Sequence, residues 1–158
     1  MINRIAENAL KRLASQFPVV GITGPRQSGK STLAKMTFPN KQYLSFDDKT
    51  LREIASSNPK DFLLAFPDGA IIDEAQKVPE IFDAVKYYVD SEKSEPGKYI
   101  LTGSSQFKLK ENMSDSLAGR VAFLKLLPFT IEELKSNKIL AKNPYEAMIK
   151  GNYPPLHD

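Results

Sequence analysis

Apolar residues at Ile2, Ile5, Ala6, Ala9, Leu10 and Leu13 recur at helical spacing, with Arg4, Glu7, Lys11 and Arg12 between them. This pattern predicts an amphipathic helix over residues 2–15. Pro18 and the run Val19-Val20-Gly21-Ile22 then predict a short buried strand. A second helix is expected to open near Gly29 and to stop at Phe38-Pro39-Asn40. Tyr43 to Phe46 reads as the second strand, followed by a helix that carries Leu51 and Ile54 and is capped by Asp47. Asn58-Pro59 begins a short helix through Leu64, and Pro67-Asp68-Gly69 is a turn. Ala70 to Asp73, Tyr99 to Thr102 and Val121 to Leu124 read as strands three, four and five. Ile81, Phe82, Val85, Tyr88 and Val89 form a helical stripe, and Ser94 to Gly97 a loop. The first, third and fourth strands are continuous apolar runs, as expected of strands buried on both faces. Strands alternating with helices predict a three-layer α/β domain with a parallel sheet.

One loop in this pattern carries chemistry. Gly24-Pro25-Arg26-Gln27-Ser28-Gly29-Lys30-Ser31, followed by Thr32, fits G-x-x-x-x-G-K-[ST] between a strand and a helix. Its glycines let the backbone curl so that successive N–H groups converge on an anion. The helix that starts there adds its positive end. Lys30 is expected to reach the β- and γ-phosphates of a nucleoside triphosphate, and the Ser31 hydroxyl to ligate Mg²⁺. Arg26 within the loop is read as solvent-facing, with a phosphate contact as the alternative.

The third strand ends in Asp73-Glu74. Ligands of open α/β sheets bind at the carboxyl ends of the strands, so Asp73 is expected to face the loop and hold the metal. Glu74 is placed to orient and deprotonate an attacking water, because positioning and charge stabilisation are most of what phosphoryl transfer asks of a protein. Gln76 reads as a surface residue in preference to a polar neighbour of the acids.

Composition adds limits. In 158 residues, 41% are apolar and 26% charged, ordinary for a globular chain large enough to bury one core. No run approaches the roughly 18 apolar residues that span a bilayer, and the polar, amphipathic N-terminus argues against a secretory signal. Cysteine is absent, which excludes disulfides and cysteine metal sites. A cytoplasmic location follows as an expectation from ATP-dependent chemistry. The net charge of +3 indicates solubility and some affinity for phosphate.

The loop 24–32, Ile71-Ile72-Asp73-Glu74-Ala75-Gln76, Leu101-Thr102-Gly103-Ser104-Ser105, Leu117-Ala118-Gly119-Arg120 and Leu127-Pro128-Phe129 occur in that order. Together they resemble a family of prokaryotic AAA+-type P-loop ATPases, in which an N-terminal ATPase core is usually fused to a C-terminal domain of unknown function. The resemblance covers nearly the whole chain. It implies a five-stranded parallel sheet in the order 5-1-4-3-2. It also implies that Lys30 and Ser31 hold phosphate and Mg²⁺, that Asp73 and Glu74 are the metal-binding and water-activating carboxylates, and that Ser104, or failing it Thr102, senses the γ-phosphate. Arg120 stands where such proteins place an arginine finger acting in trans, which would make a homo-oligomer; a structural ion pair is the competing reading. The ATPase core is expected over residues 1–136, with 137–158 beginning a further region. Because relatives continue past this point into a helical lid and a C-terminal domain, turnover by this chain alone is expected to be weak.

Three functions compete at this stage. The first is an ATPase that cleaves the β–γ bond by water attack. The second is a nucleotide-binding switch with negligible turnover. The third, a GTPase or small-molecule kinase, lacks support: no N-K-x-D element occurs, Asn143 being followed by Pro144. The lysines at 108, 110, 135, 138 and 142 read as solvated faces and not as a nucleic-acid surface, and His157 as a terminal residue.

Overall fold

The computed structural model describes residues 2–91, 95–104, 106–140, 143 and 151–156. The expectations for Ser94, Lys142 and His157, and for the side chains of Lys108 and Lys110, lie outside the described residues.

Five strands, β1 (Val19–Thr23), β2 (Gln42–Ser45), β3 (Ala70–Asp73), β4 (Tyr99–Thr102) and β5 (Val121–Lys125), form one sheet in the order β2-β3-β4-β1-β5. Every pairing is parallel. This is the expected order read from the other edge. Because all strands run the same way, Thr23, Asp73, Thr102 and Lys125 collect at one edge of the sheet.

Side chains alternate between the two faces. Val20, Ile22, Ile71 and Ile100 pack against α1 (Ala6–Ala14) and α2 (Lys30–Thr37) through Leu10, Ala14, Leu33 and Ala34. Val19, Ile72 and Leu101 face a second cluster with residues from α3 (Lys49–Ser57), α4 (Pro59–Leu64), α5 (Glu80–Ser91) and α6 (Gln106–Ser116). α7 (Ile131–Ser136) follows β5. Single-turn 3₁₀ segments occupy Ala75–Lys77 and Pro154–Leu156.

The structure departs from the sequence expectation in four places. The first helix starts at Ala6, because residues 3–5 are committed elsewhere: Asn3 exchanges hydrogen bonds with Asn137, and the Ile5 N–H donates to Glu133 Oε1 at 2.8 Å. Strand β2 begins one residue early, and Phe46 turns into the core. The cap of α3 is Asp48, which accepts from Thr50 N–H at 2.8 Å, while Asp47 pairs with Lys77. Helices α6 and α7 were not anticipated. Among the described side chains of α6, Leu109 and Met113, one turn apart, are buried, and the residues that follow Leu109 are polar up to Met113 and beyond it to Ser116.

Candidate functional site

The loop between β1 and α2 takes its shape from three left-handed backbone positions: Gly24 (φ 155°), Gln27 (φ 62°) and Gly29 (φ 87°). Gly24 is required sterically as well, since a Cβ there would lie 2.0 Å from the Leu126 carbonyl oxygen. Lys30 opens α2 and folds back, its ammonium donating to the carbonyls of Gly24 at 3.0 Å and Pro25 at 2.7 Å. Burial pulls the Lys30 pKa below its ordinary value, and the negative charges of Glu74 and Asp73 partly offset that pull. Asp73 at the end of β3 and Glu74 just after it are thus close enough for their charges to act on the lysine of the loop.

Asp73 ends β3, buried, and receives three hydroxyls. Ser31 Oγ donates to Oδ1 at 2.9 Å, Tyr43 Oη donates to Oδ2 at 2.7 Å, and Thr102 Oγ1 also donates to Oδ1. Burial, and then the bond to Asp73, push the Tyr43 phenol up to about 12, so it stays a donor through the neutral range. Thr102 is thus committed to Asp73. Sequence reasoning missed Tyr43: it sits on β2, whose register with β3 pairs Ser45 with Asp73, and nothing in the local sequence marks that edge as part of a site.

Glu74 follows in a left-handed conformation (φ 54°), uncommon for a residue with a side chain. Its Oε2 accepts from Ser104 Oγ at 2.9 Å and from Gln76 Nε2. The expectation of a surface Gln76 is corrected here. The 3₁₀ turn at Ala75–Lys77 swings its amide back onto Glu74 and against Gly103, where a Cβ would meet Gln76 Oε1 at 2.1 Å.

A cavity of about 260 Å³ joins these groups, lined by Lys30, Ser31, Thr32, Glu74 and Ser104 together with Arg26, Gln27 and Gly29. Arg26 is exposed, yet it forms part of the rim. Pro154 and Pro155 close one side; the Asn152 carbonyl accepts from the Phe129 N–H at 2.8 Å and ties that segment down. No pattern in the sequence had pointed to these prolines. Arg120 is not brought to the cavity of its own chain. It precedes β5 at the opposite edge of the sheet, held on Asp90 of α5 through both carboxylate oxygens and on the Ala118 carbonyl at 2.7 Å. Five residues of strand, about 16 Å, separate it from the edge where the cavity opens.

A family model described as an AAA domain matches residues 16–135. The chain belongs to this AAA-domain family. The match spans the loop, both acids and all five strands, so the AAA-type P-loop ATPase core is the unit described above. Uncharacterized proteins of Mycobacterium tuberculosis and Mycobacterium bovis are each 34% identical over 137 residues; the match covers 85% of this chain and 30% of theirs. The chain thus spans less than a third of those relatives. Among solved structures, the Walker-type ATPase of Pyrococcus abyssi aligns with a TM-score of 0.65 at 17% identity, covering 98% of this chain and 65% of that one. The AMPPCP-bound DnaA of Aquifex aeolicus aligns with a TM-score of 0.57 at 15% identity, covering 96% and 56%. At such identities these likenesses show the shared fold. No described helix of this AAA domain is long and apolar enough to cross a membrane.

Proposed function

We propose that this AAA domain binds ATP with Mg²⁺ in the cavity of loop 24–31 and hydrolyses its β–γ bond. The observation that carries the reading is that Lys30, Ser31 and Glu74 line one cavity, while the Ser31 hydroxyl donates to the buried Asp73 carboxylate at 2.9 Å. Backbone N–H groups of the loop and the ammonium of Lys30 bind the phosphates. Hydroxyl and carboxylate oxygens are the hard donors that Mg²⁺ takes, and this ion normally combines one or two carboxylates with phosphate oxygens. Ser31 and Asp73 would hold it, and it would neutralise charge on the phosphates. Glu74 orients a water and takes its proton as the water oxygen bonds to the γ-phosphorus; the bond to the bridging oxygen breaks, giving ADP and inorganic phosphate. Ser104 reports on the γ-phosphate through its bond to Glu74. Gly24, Pro25, Arg26, Gln27, Ser28, Gly29 and Thr32 shape the rest of the phosphate pocket. The AMPPCP-bound state of the DnaA neighbour supports an adenine nucleotide as the ligand.

In this reading the core covers residues 1–136, and residues 151–156 lend Pro154 and Pro155 to its cavity. A cytoplasmic location accords with ATP as substrate, and a homo-oligomer is required if Arg120 serves a neighbouring site.

The test is thermal unfolding with and without millimolar Mg-ATP, since a ligand that binds only the native state raises the midpoint. A folded protein whose midpoint does not move sinks the proposal. One observation favours a second reading, a switch with negligible turnover: Glu74 is held by two donors on the same oxygen and Lys30 is folded onto its own loop. Phosphate release no greater than that of Glu74→Gln, with nucleotide still bound, would select it.

A further inference from the structure

Arg4 stands outside the cavity yet grips the loop that builds it. Its side chain is only 7% exposed, and all three guanidinium nitrogens are used. Nη1 donates to the Ser28 carbonyl at 2.9 Å, Nη2 to the Leu127 carbonyl at 2.7 Å, and Nε to Glu133 Oε1 at 3.0 Å. The guanidinium carbon lies 4.7 Å over the Phe129 ring. Glu133 matches the charge and is itself anchored, with Oε1 also accepting from the Ile5 N–H and Oε2 accepting from the Thr130 N–H at 2.9 Å. A guanidinium so committed is no counter-charge for phosphate. Its effect on the site must pass through the shape of the loop.

That effect follows from peptide geometry. No peptide bond of the described residues is cis, and in a trans peptide the C=O and the following N–H point in opposite directions. With the Ser28 carbonyl drawn outward to Arg4, the Gly29 N–H is turned the other way, toward the cavity that Gly29 lines. The other anchored carbonyls of the loop are likewise occupied: those of Gly24 and Pro25 by Lys30, and that of Gly29 by the Leu33 N–H at 2.8 Å. The glycine that permits this loop also makes its inverse cheap, because rotating the Ser28–Gly29 peptide meets little resistance at a residue without Cβ. The flipped peptide would aim a carbonyl dipole at the anion. An external donor on the Ser28 oxygen opposes that flip.

We infer that Arg4 is a positioning residue for nucleotide binding: it fixes the Ser28–Gly29 peptide with its N–H turned inward, so that the anion nest exists before the ligand arrives. The inference rests on the reading of loop 24–31 as the phosphate site.

Titration calorimetry of Mg-ATP and Mg-ADP, with urea unfolding alongside, compares the wild-type protein, Arg4→Lys and Asn137→Ala. A lysine cannot hold the Ser28 carbonyl, the Leu127 carbonyl and Glu133 together. Asn137→Ala loosens residue 3 but leaves every contact of Arg4 in place. Arg4→Lys is expected to weaken both nucleotides by about tenfold, the scale of one charge-assisted hydrogen bond. Asn137→Ala is expected to bind within twofold of wild type even where its urea midpoint falls. A folded Arg4→Lys protein that binds within twofold of wild type overturns the role of Arg4. Absence of any nucleotide binding by the wild-type protein overturns the phosphate-site reading and this inference with it. Should Arg4→Lys not fold, amide exchange on the wild-type protein decides. Coupling between sites is reciprocal, so saturating Mg-ADP should slow exchange of the Ile5 amide, which shares Glu133 with Arg4. An unchanged rate there overturns the inference.

Discussion

Ser104 donates its hydroxyl to Glu74 Oε2 at 2.9 Å, joining the exits of the neighbouring strands β3 and β4 at the wall of the cavity. Glu74 reaches this position from a left-handed backbone, which costs an ordinary residue roughly 1–2 kcal/mol. A general base gains from such fixation, since the proton must pass over a short and directed path. Glu74→Gln should therefore keep nucleotide affinity within a few-fold and abolish phosphate release. Ser104→Ala should lower kcat by roughly 10–100-fold with KM nearly unchanged, the signature of an interaction that matters in the transition state. Steady-state phosphate release measures both. A change in KM alone would assign Ser104 to ground-state binding.

Gln76 and Gly103 form a second test of the same carboxylate. A Cβ at residue 103 would stand 2.1 Å from Gln76 Oε1 and 3.0 Å from Cδ. The obstacle is the end of a flexible side chain, so the amide gives way and the fold does not. Gly103→Ala should shift the thermal midpoint by only about 2 °C while reproducing the kcat change of Gln76→Ala. The double substitution should be no worse than either single one, because both remove the same hold on Glu74. Additive losses would mean that the two residues act separately.

Much of this architecture was legible before any coordinates. Continuous apolar runs at Val19–Ile22, Ala70–Ile72 and Tyr99–Leu101 suit strands covered on both sides, and all three lie in the parallel sheet; the loop between the first of them and its helix marked where to look for a site. The misses have physical reasons. The edge strand β2 is polar on one side, so its register and the role of Tyr43 depend on pairing with β3 and not on its own pattern. Gln76 turned inward because Glu74 adopts positive φ, a choice the sequence of a non-glycine residue does not announce. Pro154 lines the cavity in a segment tied down by the bond between Phe129 and Asn152, a pairing distant in sequence that no local pattern announces. For α7 a readable signal existed: Thr130 and Glu133 form a capping box, with Thr130 Oγ1 accepting from Glu133 N–H at 3.1 Å and the Glu133 carboxylate accepting from Thr130 N–H.

Glu133 makes the fold sensitive to acid. Burial alone would raise its pKa, but the N–H groups of Thr130 and Ile5 and the guanidinium of Arg4 outweigh it, and the folded value lies below the ordinary 4.5. A carboxyl depressed in the folded state contributes stability that is present above its unfolded pKa and is lost as the pH falls through the folded one. Urea midpoints of the wild-type protein should therefore decline as the pH drops below about 4.5. Glu133→Gln should cost about 3 kcal/mol at neutral pH, the scale of removing one partner of a buried ion pair. The gap between variant and wild type should then narrow on acidification. A gap independent of pH would mean that packing, and not ionisation, gives Glu133 its value.

Arg120 and Asp90 decide whether a second chain enters the chemistry. One chain cannot deliver Arg120 to its own cavity, because the residue is held on α5 at the far edge of the sheet. Any contribution to turnover must then come from a neighbouring copy and grow with protein concentration. At dilute concentration Arg120→Ala should release phosphate per chain at the wild-type rate. At high concentration the wild type should pull ahead, and a mixture of Arg120→Ala with Glu74→Gln should recover activity, since each supplies what the other lacks. Phosphate release measured across a broad range of concentrations separates the cases. Equal rates throughout, with no recovery on mixing, would leave Arg120 as a clamp that ties the start of β5 to α5.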